Sequence, residues 1–109
     1  MTRLVVSQEA EAVLGGILDY LELRAGAQTA AGYAERFRRT ILLLVDFPAI
    51  GTLRSKLGQE TRIAVVYPYI LIYDFNPQVD TLVLLRIVHG RRNISKRLVK
   101  QGRSAQSGT

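Results

Sequence analysis

Residues 61–93 decide the fold of this chain, and they read TRIAVVYPYILIYDFNPQVDTLVLLRIVHGRRN. Three runs rich in β-branched and aromatic side chains are separated by Tyr67-Pro68 and by Asn76-Pro77-Gln78. Such runs between turn-forming residues predict strands, here at about 61–66, 69–75 and 81–89. Because the connections are short, we expect consecutive antiparallel hairpins.

Alternation along these strands places apolar side chains on both faces of the predicted sheet. In the middle strand, Ile70 and Ile72 lie opposite the face that carries Tyr69, Leu71, Tyr73 and Phe75. In the last strand, strict alternation groups Val83, Leu85, Ile87 and His89 on one face. A sheet with helices on one side only should have a polar outer face. We therefore expect the second face to be covered by the chain itself or by another protein.

The upstream half predicts a short strand and two helices. Residues 3–6 are apolar and β-branched, and Ser7 is a suitable N-cap for a first helix that ends at Gly26. A second helix spans about 28–46 and stops before Phe47-Pro48, because the residue before proline avoids the α region. The short connection predicts an antiparallel helical hairpin on the sheet.

Three local features of this region bear on packing. Gly15-Gly16 weakens the first helix by roughly 1 kcal/mol per glycine, and a close helix crossing would explain the pair. Leu42, Leu43 and Val45 widen the apolar surface of the second helix, either as core or as a partner-binding surface. Residues 48–58 contain glycines at 51 and 58 and begin with a helix-ending proline, so we predict a loop there.

The length and composition of the chain limit the classes of function that we expect. With 109 residues, the chain fits one domain, which we place at 1–93, followed by a partly flexible basic extension at 94–109. The chain contains no cysteine and one histidine, so we expect no disulfide, no thiol catalysis, no metal and no cofactor. No apolar run is long enough for a signal or a membrane span, and we expect a cytoplasmic protein.

The charge is asymmetric. Residues 1–53 carry a net charge of −1 and residues 54–109 a net charge of +7. Seven basic residues and no acidic residue lie between Arg86 and Arg103. Such asymmetry favours a polyanionic partner, either a nucleic acid or an acidic protein, over a merely solubilising surface.

The order and spacing of several motifs resemble the RelE/ParE toxin superfamily over residues 3–93. These motifs are the β–α–α–β–β–β order, Phe47-Pro48-x-x-Gly51 followed by Arg54, a middle strand running from Tyr69 to Tyr73, and a last strand that closes in Leu-Arg-Ile-Val-His-Gly-Arg-Arg. The closing His-Gly-Arg-Arg-Asn is similar to the ParE branch in particular. The resemblance implies an α+β fold with a helical hairpin packed on an antiparallel sheet.

The same resemblance implies the toxin of a bacterial type II toxin–antitoxin module of the plasmid-stabilisation kind. Such a toxin forms a hetero-oligomer with a cognate, ParD-like antitoxin and has no membrane partner. The ParE branch inhibits DNA gyrase without a known catalytic step of its own, whereas the RelE branch consists of ribosome-dependent messenger RNA endoribonucleases.

The residues favour the ParE branch. Cleavage of RNA through its 2′-hydroxyl needs a base, an acid and cations for the developing charge. His89 occupies the place of a catalytic histidine in some RelE-branch toxins, but two positions depart from that pattern. Ile70 replaces a catalytic arginine, and Gly90 replaces a tyrosine. We therefore interpret His89 as structural, and Gly90 as the residue of a turn with positive φ.

The predicted binding residues form two sets. For the target we expect Arg54, Arg62, Arg86, His89, Arg91, Arg92, Lys96, Arg97 and Lys100, although Arg86 on an apolar strand should also need a carboxylate such as Asp74. For the antitoxin, an amphipathic helix followed by an extended acidic segment, we expect Leu42, Leu43, Ile70 and Ile72. The alternatives to a gyrase-binding toxin are an endoribonuclease with His89 as a catalytic residue and a non-toxic relative that only binds its antitoxin.

Overall fold

Two helices pack on one face of a five-stranded sheet in residues 2–90, which are the residues that the computed structural model describes. The elements are β1 (Arg3–Val6), α1 (Gln8–Ala25), α2 (Ala27–Asp46), β2 (Thr52–Leu53), β3 (Thr61–Val66), β4 (Tyr69–Asn76) and β5 (Thr81–His89). A 3₁₀ turn at Pro48–Ile50 links α2 to β2. This architecture confirms the predicted α+β fold with a helical hairpin on a sheet. The basic extension at 94–109 lies outside the described residues.

The sheet has the order β1-β5-β4-β3-β2, and it is mixed. β1 pairs with β5 in parallel, from Arg3 opposite Thr81 to Val6 opposite Leu84, and the other pairs are antiparallel. A parallel pair requires a long crossover, which the helical hairpin and strands β2 to β4 together provide. The sequence predicted the two helices and four of the strands, but β2 falls within the segment predicted as a loop.

Ser7 joins β1 to α1, as its N-cap prediction required. Its hydroxyl accepts a hydrogen bond from the Ala10 N–H at 3.0 Å and donates one to the Leu85 carbonyl oxygen at 2.7 Å. Its own N–H donates to the Leu84 carbonyl oxygen at 2.9 Å. Because Ser7 is fully buried, these bonds fix the start of α1 against β5 in a place that water does not reach.

The main core fills the space between the helical hairpin and the inner face of the sheet. Its largest buried members are Phe37, Leu44, Leu71, Tyr73, Leu82, Leu84 and Ile87. Burial of a phenylalanine or leucine side chain contributes about 1.5–3 kcal/mol. This core therefore holds the helices to β4, the central strand of the sheet, and to its neighbour β5.

A β-bulge in β5 changes which residues share a face. Ile72 pairs with Arg86 but Tyr73 pairs with Leu84, so Leu85 is the extra residue. Val83 and Leu85 consequently pack on the outer face, whereas Ile87 packs in the main core. The predicted grouping of Val83, Leu85, Ile87 and His89 on one face is wrong, because strict alternation does not survive an inserted residue.

The outer face of the sheet carries a second, smaller apolar cluster. Leu57, from the loop between β2 and β3, covers Ile72, Leu85 and Val88, while Ile63, Ile70 and Val83 at its margin are half-buried. The chain itself thus covers part of the second apolar face, which was one of the two predicted ways of covering it. The rest of that face is open to a ligand.

Candidate protein-binding surfaces

The corner at Phe47-Pro48-x-x-Gly51 is fixed by a tyrosine of the sheet. The Tyr73 hydroxyl donates to the Pro48 carbonyl oxygen at 2.7 Å and accepts from the Gly51 N–H at 3.0 Å. A Cβ at position 51 would lie 2.3 Å from that hydroxyl oxygen, so only glycine fits. Burial raises the pKa of Tyr73, against the opposing effects of the Gly51 N–H and the nearby Arg62 charge, and keeps the hydroxyl protonated as a donor.

Arg62 braces the same corner from β3. Its Nη1 donates to the carbonyl oxygens of Ala49 at 3.1 Å and Gly51 at 2.8 Å. Arg62 was predicted to contact a target. Its guanidinium thus has a structural role at this corner, and its contact with a target stays a prediction. The end of α2 is therefore presented in one defined position.

An exposed apolar patch lies at this end of α2, and we call it the α2 patch. Its side chains are Leu42, Leu43, Phe47 and Ile50, which are 48%, 45%, 60% and 57% exposed. Beside it, a hollow of about 330 Å³ lies between α2 and β3, with Leu43, Leu44, Ile50, Ile63 and Val65 in its lining. Leu42 and Leu43 are thus available to a partner and do not belong to the core. Neighbouring large apolar side chains exposed in this way mark an interaction surface.

A groove crosses the open part of the outer sheet face, and we call it the outer trough. One end is a hollow of about 450 Å³ lined by Leu53, Arg54, Ser55, Lys56, Leu57, Ile63 and Ile70. The other end is a hollow of about 260 Å³ lined by Val65, Tyr67, Pro68, Ile70, His89 and Gly90. Ile70 lines both, so the two hollows are adjacent.

His89 lies at the end of β5, beside an aromatic cluster under α2. Its ring meets Tyr69 edge-on at 5.8 Å between centroids, and Tyr69 in turn contacts Tyr33 at 6.3 Å and Phe37 at 5.7 Å. Burial is the main cause that raises the pKa of Tyr69. Arg36 stacks over Tyr33 at 4.9 Å and donates to the Tyr67 carbonyl oxygen at 3.0 Å. These contacts hold the turn between β3 and β4 against α2.

Gly90 is required by a close backbone approach. Its N–H donates to the Pro68 carbonyl oxygen at 2.7 Å, and a Cβ at this position would lie 2.9 Å from the same oxygen. The predicted positive φ is wrong, since Gly26 is the one glycine among residues 2–90 with such a backbone conformation. The glycine serves to bring β5 against the β3–β4 turn.

The exposed face of α2 also carries a charge cluster that the sequence analysis did not identify. Arg38 forms two hydrogen bonds to the Glu35 carboxylate, at 2.8 and 2.6 Å, and Arg39 forms a third at 3.1 Å. Hydrogen bonds from Arg38 and then Arg39 lower the pKa of Glu35 to about 2. The i,i+3 and i,i+4 spacings were the signal that could have found this cluster.

Comparison with known proteins decides the family. A family model described as the ParE toxin of the type II toxin–antitoxin system parDE matches residues 4–94. The chain belongs to the ParE toxin family. Toxin ParE1 of Caulobacter vibrioides is 27% identical over 88 residues, which cover 81% of this chain and 88% of that protein. A solved chain of the chromosomal ParDE toxin–antitoxin system from P. aeruginosa has the same fold, with a TM-score of 0.67 at 19% identity, over 82% of this chain and 96% of that one.

Two predicted contacts of this ParE-family chain are corrected by burial. Arg86 is buried and forms an ion pair with Glu9 of α1, so we no longer count it as a target contact. It pairs with a carboxylate as expected, here that of Glu9, and the expected carboxylate of Asp74 accepts a hydrogen bond from the Thr61 hydroxyl. The sequence offered no signal for Glu9, because the partners lie far apart in the chain. Ile72, expected at the antitoxin interface, is fully buried beneath Leu57.

The remaining predicted residues of this ParE-family chain lie on accessible surface or beyond the described part. Arg54, His89 and the half-buried Ile70 line the outer trough. Leu42 and Leu43 lie in the α2 patch. The other five cations are outside residues 2–90, and their role stays a prediction: Arg91, Arg92, Lys96, Arg97 and Lys100.

The described residues of these surfaces offer mainly apolar side chains, with cations at one end of the outer trough. Within residues 2–90, no cluster of histidine, aspartate and glutamate could hold a metal ion, and neither helix has the length and apolar character needed to cross a bilayer. Among the described residues that line the hollow at His89, none is a lysine or an arginine. The ParE-family fold therefore presents an apolar patch and a groove with a basic end.

Proposed function

We propose that this ParE-family chain inhibits DNA gyrase by binding it, without a catalytic step, and that a cognate ParD-like antitoxin neutralises it. The observation that carries the non-enzymatic proposal is the lining of the hollow at His89. Among the described residues, that hollow is lined by Val65, Tyr67, Pro68, Ile70 and Gly90 beside His89, and none of these five carries a cation that could stabilise charge on a phosphate. A nuclease would need such groups within reach of the base.

The antitoxin part of the proposal is supported by the α2 patch. Leu42, Leu43, Phe47 and Ile50 offer a surface on which an amphipathic helix can bury one apolar stripe. The braced corner at Pro48 and Gly51 supports this role, because a rigid surface loses little entropy when it binds. The solved relative is described as part of a ParDE toxin–antitoxin system, which is consistent with such a partner.

The target part is supported by charge. Arg54 is exposed beside the outer trough, and the five predicted cations of residues 91–100 continue the same sign. An excess of cations in one part of a sequence favours acidic protein surfaces or DNA as partners, and the gyrase–DNA complex offers both. Arg54, His89 and that basic segment are the proposed target contacts.

Expression of the chain alone, followed by pulse labelling, tests the proposal. We expect DNA synthesis to fall before protein synthesis, and cleaved DNA to be trapped on gyrase. His89→Ala removes one proposed binding contact, so it should weaken this effect in part but should not abolish it. An early fall in protein synthesis with cut messages, abolished by His89→Ala, would instead identify an endoribonuclease. An effect on neither synthesis would identify a relative that only binds its antitoxin.

A further inference from the structure

The outer edge of β1 presents backbone groups that no strand of residues 2–90 uses, and we call it the β1 edge. β1 is the first strand in the sheet order, and β5 is its one strand partner within those residues. The Arg3 N–H donates to the Asp80 carbonyl oxygen, so Arg3 and the residues two and four positions further face β5. Because backbone groups alternate along a strand, the N–H and C=O groups of Leu4 and Val6 point away from the sheet.

β1 also lacks most of the features that protect an edge strand. Leu4 and Val6 are 37% and 38% exposed, although both are large apolar residues. The strand contains no proline, and Arg3 at its start is its one charged residue. Edges are usually protected by charged residues, prolines, bulges or very short strands. The opposite edge has such protection, because β2 has two residues and Arg54 follows it directly. The β1 edge is therefore the better site for the addition of a strand.

The hydrogen-bonding pattern of β1 fits an antiparallel copy of itself. When Val5 lies opposite Val5 of a second copy, Leu4 of each copy lies opposite Val6 of the other. Both outward-facing N–H groups of each copy then meet a carbonyl oxygen of the other. The exposed Leu4 and Val6 side chains of the two copies form one apolar strip on the helix side of the sheet. A two-fold axis through Val5 relates the copies, and such an axis is the commonest symmetry of homodimers.

The charges at the two ends of β1 select the antiparallel orientation. Arg3 begins the strand, and the acidic first turn of α1, with Glu9 and Glu11, follows its end. Antiparallel pairing brings Arg3 of each copy opposite Ser7 of the other, beside that acidic turn. A parallel pair would instead place the two Arg3 side chains side by side, and like charges that face each other are destabilising.

The helices leave room for this pairing. α1 packs over β5, since Ala10 of α1 lies in the main core with Leu82 and Leu84 of β5. Neighbouring strands are about 4.8 Å apart, so the two copies of β5 on either side of the paired β1 strands would be about 14 Å apart. A helix with its side chains is about 10–12 Å wide. The two α1 helices can therefore lie side by side without overlap.

We propose that two copies of this chain associate through the β1 edge, with the two-fold axis at Val5, and that their sheets join into one continuous sheet. The inference goes beyond the proposed function and requires neither gyrase nor an antitoxin. Because the contact is small, the dimer forms at high concentration and dissociates on dilution. The α2 patch and the larger hollow of the outer trough lie toward the β2–β3 edge, so the dimer carries two accessible copies of each.

Lysine substitutions with a matched control test the proposal. Leu4→Lys with Val6→Lys puts charge on the β1 edge. Leu53→Lys with Val65→Lys makes the same changes at positions 48% and 60% exposed near the opposite edge. Sedimentation velocity of the full chain over a range of concentrations gives the dissociation constant of the dimer. We expect the β1 variant to raise this constant at least tenfold and the control to change it less than twofold.

Single cysteines test the register, because the chain contains no cysteine of its own. Val5→Cys places two thiols opposite each other at the two-fold axis, where facing Cβ atoms are about 4.5–5.5 Å apart. Leu4→Cys places them on a diagonal, about 7–8 Å apart. Val79→Cys, at a position 65% exposed in the β4–β5 turn, measures random collision. We expect mild oxidation to cross-link Val5→Cys at least tenfold faster than the other two variants.

Three outcomes would overturn the proposal. The first is a wild-type chain that stays monomeric at every concentration, and the second is equal cross-linking of the three cysteine variants. The third is a control pair that weakens the dimer as much as the β1 pair does, because the interface would then not be at the β1 edge. Thermal melts show that each variant is folded before it is compared. None of these outcomes affects the proposed function, since a monomer can also bind gyrase and an antitoxin.

Binding of an antitoxin distinguishes the other possible occupant of this edge. The probe is an antitoxin that restores growth to cells expressing the wild-type chain. If Leu4→Lys with Val6→Lys weakens its binding and the wild-type chain alone is monomeric, the β1 edge belongs to the antitoxin and the dimer proposal fails. If the same variant weakens the dimer and leaves antitoxin binding unchanged, the edge binds a second copy as proposed.

Discussion

The hydroxyl of Tyr73, on β4, donates a hydrogen bond to the carbonyl oxygen of Pro48 at 2.7 Å. This bond ties a strand of the main core to the turn that follows α2, and the same oxygen accepts the Gly51 N–H. The α2 patch begins at this turn. The position of the proposed antitoxin surface is therefore set by a buried tyrosine rather than by the surface residues themselves.

Tyr73→Phe should destabilise the fold by about 1–3 kcal/mol, because it removes the partner of the Pro48 carbonyl and of the Gly51 N–H. Urea unfolding followed by circular dichroism measures the free energy of unfolding. Tyr67→Phe is the matched control, since Tyr67 is exposed, and it should change that free energy by less than about 0.5 kcal/mol. Equal stabilities of the two variants would contradict the role assigned to the Tyr73 hydroxyl.

Two glycine substitutions should have opposite signs. Gly51→Ala places a Cβ 2.3 Å from the Tyr73 hydroxyl and 2.8 Å from the Ile63 carbonyl oxygen, so it should destabilise by about 1–3 kcal/mol. Gly16→Ala meets no atom within 4 Å on the exposed side of α1 and should stabilise by about 1 kcal/mol. Thermal melts of both variants check the prediction, and a stabilising Gly51→Ala would show that the corner is not tightly packed.

The Glu35 cluster should make a pH-dependent contribution to stability. The pKa of Glu35 in the folded chain, about 2, lies below its ordinary value of 4.5. The stabilisation is therefore present above pH 4.5 and is lost as the pH falls toward about 2. Wild type and Glu35→Gln should differ in Tm at pH 7 and converge at pH 2. Because the cluster is exposed, 1 M salt should shrink the difference, and a salt-independent difference would point to packing instead.

Substitutions in the α2 patch should weaken antitoxin binding without unfolding the chain. Leu42→Asp with Leu43→Asp should cost about 2 kcal/mol or more of binding free energy, as expected for apolar anchors at the centre of an interface. Leu23→Asp is the control, because Leu23 is 87% exposed on α1, away from this patch. Isothermal titration calorimetry gives the affinities. Should the control lose as much affinity, the interface would lie on the other helix.

Removal of residues 94–109 should reduce toxicity and gyrase inhibition, because it removes Lys96, Arg97 and Lys100 from the proposed target contacts. Glutamine at these three positions in the full chain separates their charge from the length of the segment. Both changes should give a similar loss in a gyrase supercoiling assay. Intact toxicity after truncation would confine the target contacts to Arg54, His89 and the residues between 91 and 93.

The parts of the fold that follow from local patterns were predictable. The Ser7 cap, the two helices and the strands of the two hairpins each depend on residues close together in the chain, and each is present. Two other contacts join residues 75 or more positions apart: the pairing of β1 with β5 and the ion pair of Arg86 with Glu9. The spacing of apolar residues in the sequence does not indicate such distant contacts. The bulge at Leu85 could not be predicted for a different reason. The inserted residue is apolar and lies within an apolar run, so the sequence pattern of the strand does not show the insertion.

Burial is also the reason why the sequence does not distinguish the arginines of the predicted site from one another. The sequence does not show whether an arginine is buried or exposed, because its burial depends on how the helices and loops cover the sheet. Arg62 and Arg86 were therefore grouped with Arg54, although two backbone carbonyls hold the first and a carboxylate of α1 holds the second. For Leu42 and Leu43 the sequence allows either a core position or a surface position, and the packing of the helical hairpin leaves both exposed.

The parallel pairing of β1 with β5 also constrains when the protein can finish folding. The first strand pairs with residues 81–84 of β5, and the buried Ser7 bonds to the carbonyl oxygens of Leu84 and Leu85, near the end of the described chain. During translation, the N-terminal strand must wait until nearly all of residues 2–90 have left the ribosome. The nascent chain therefore cannot complete this sheet until β5 has left the ribosome.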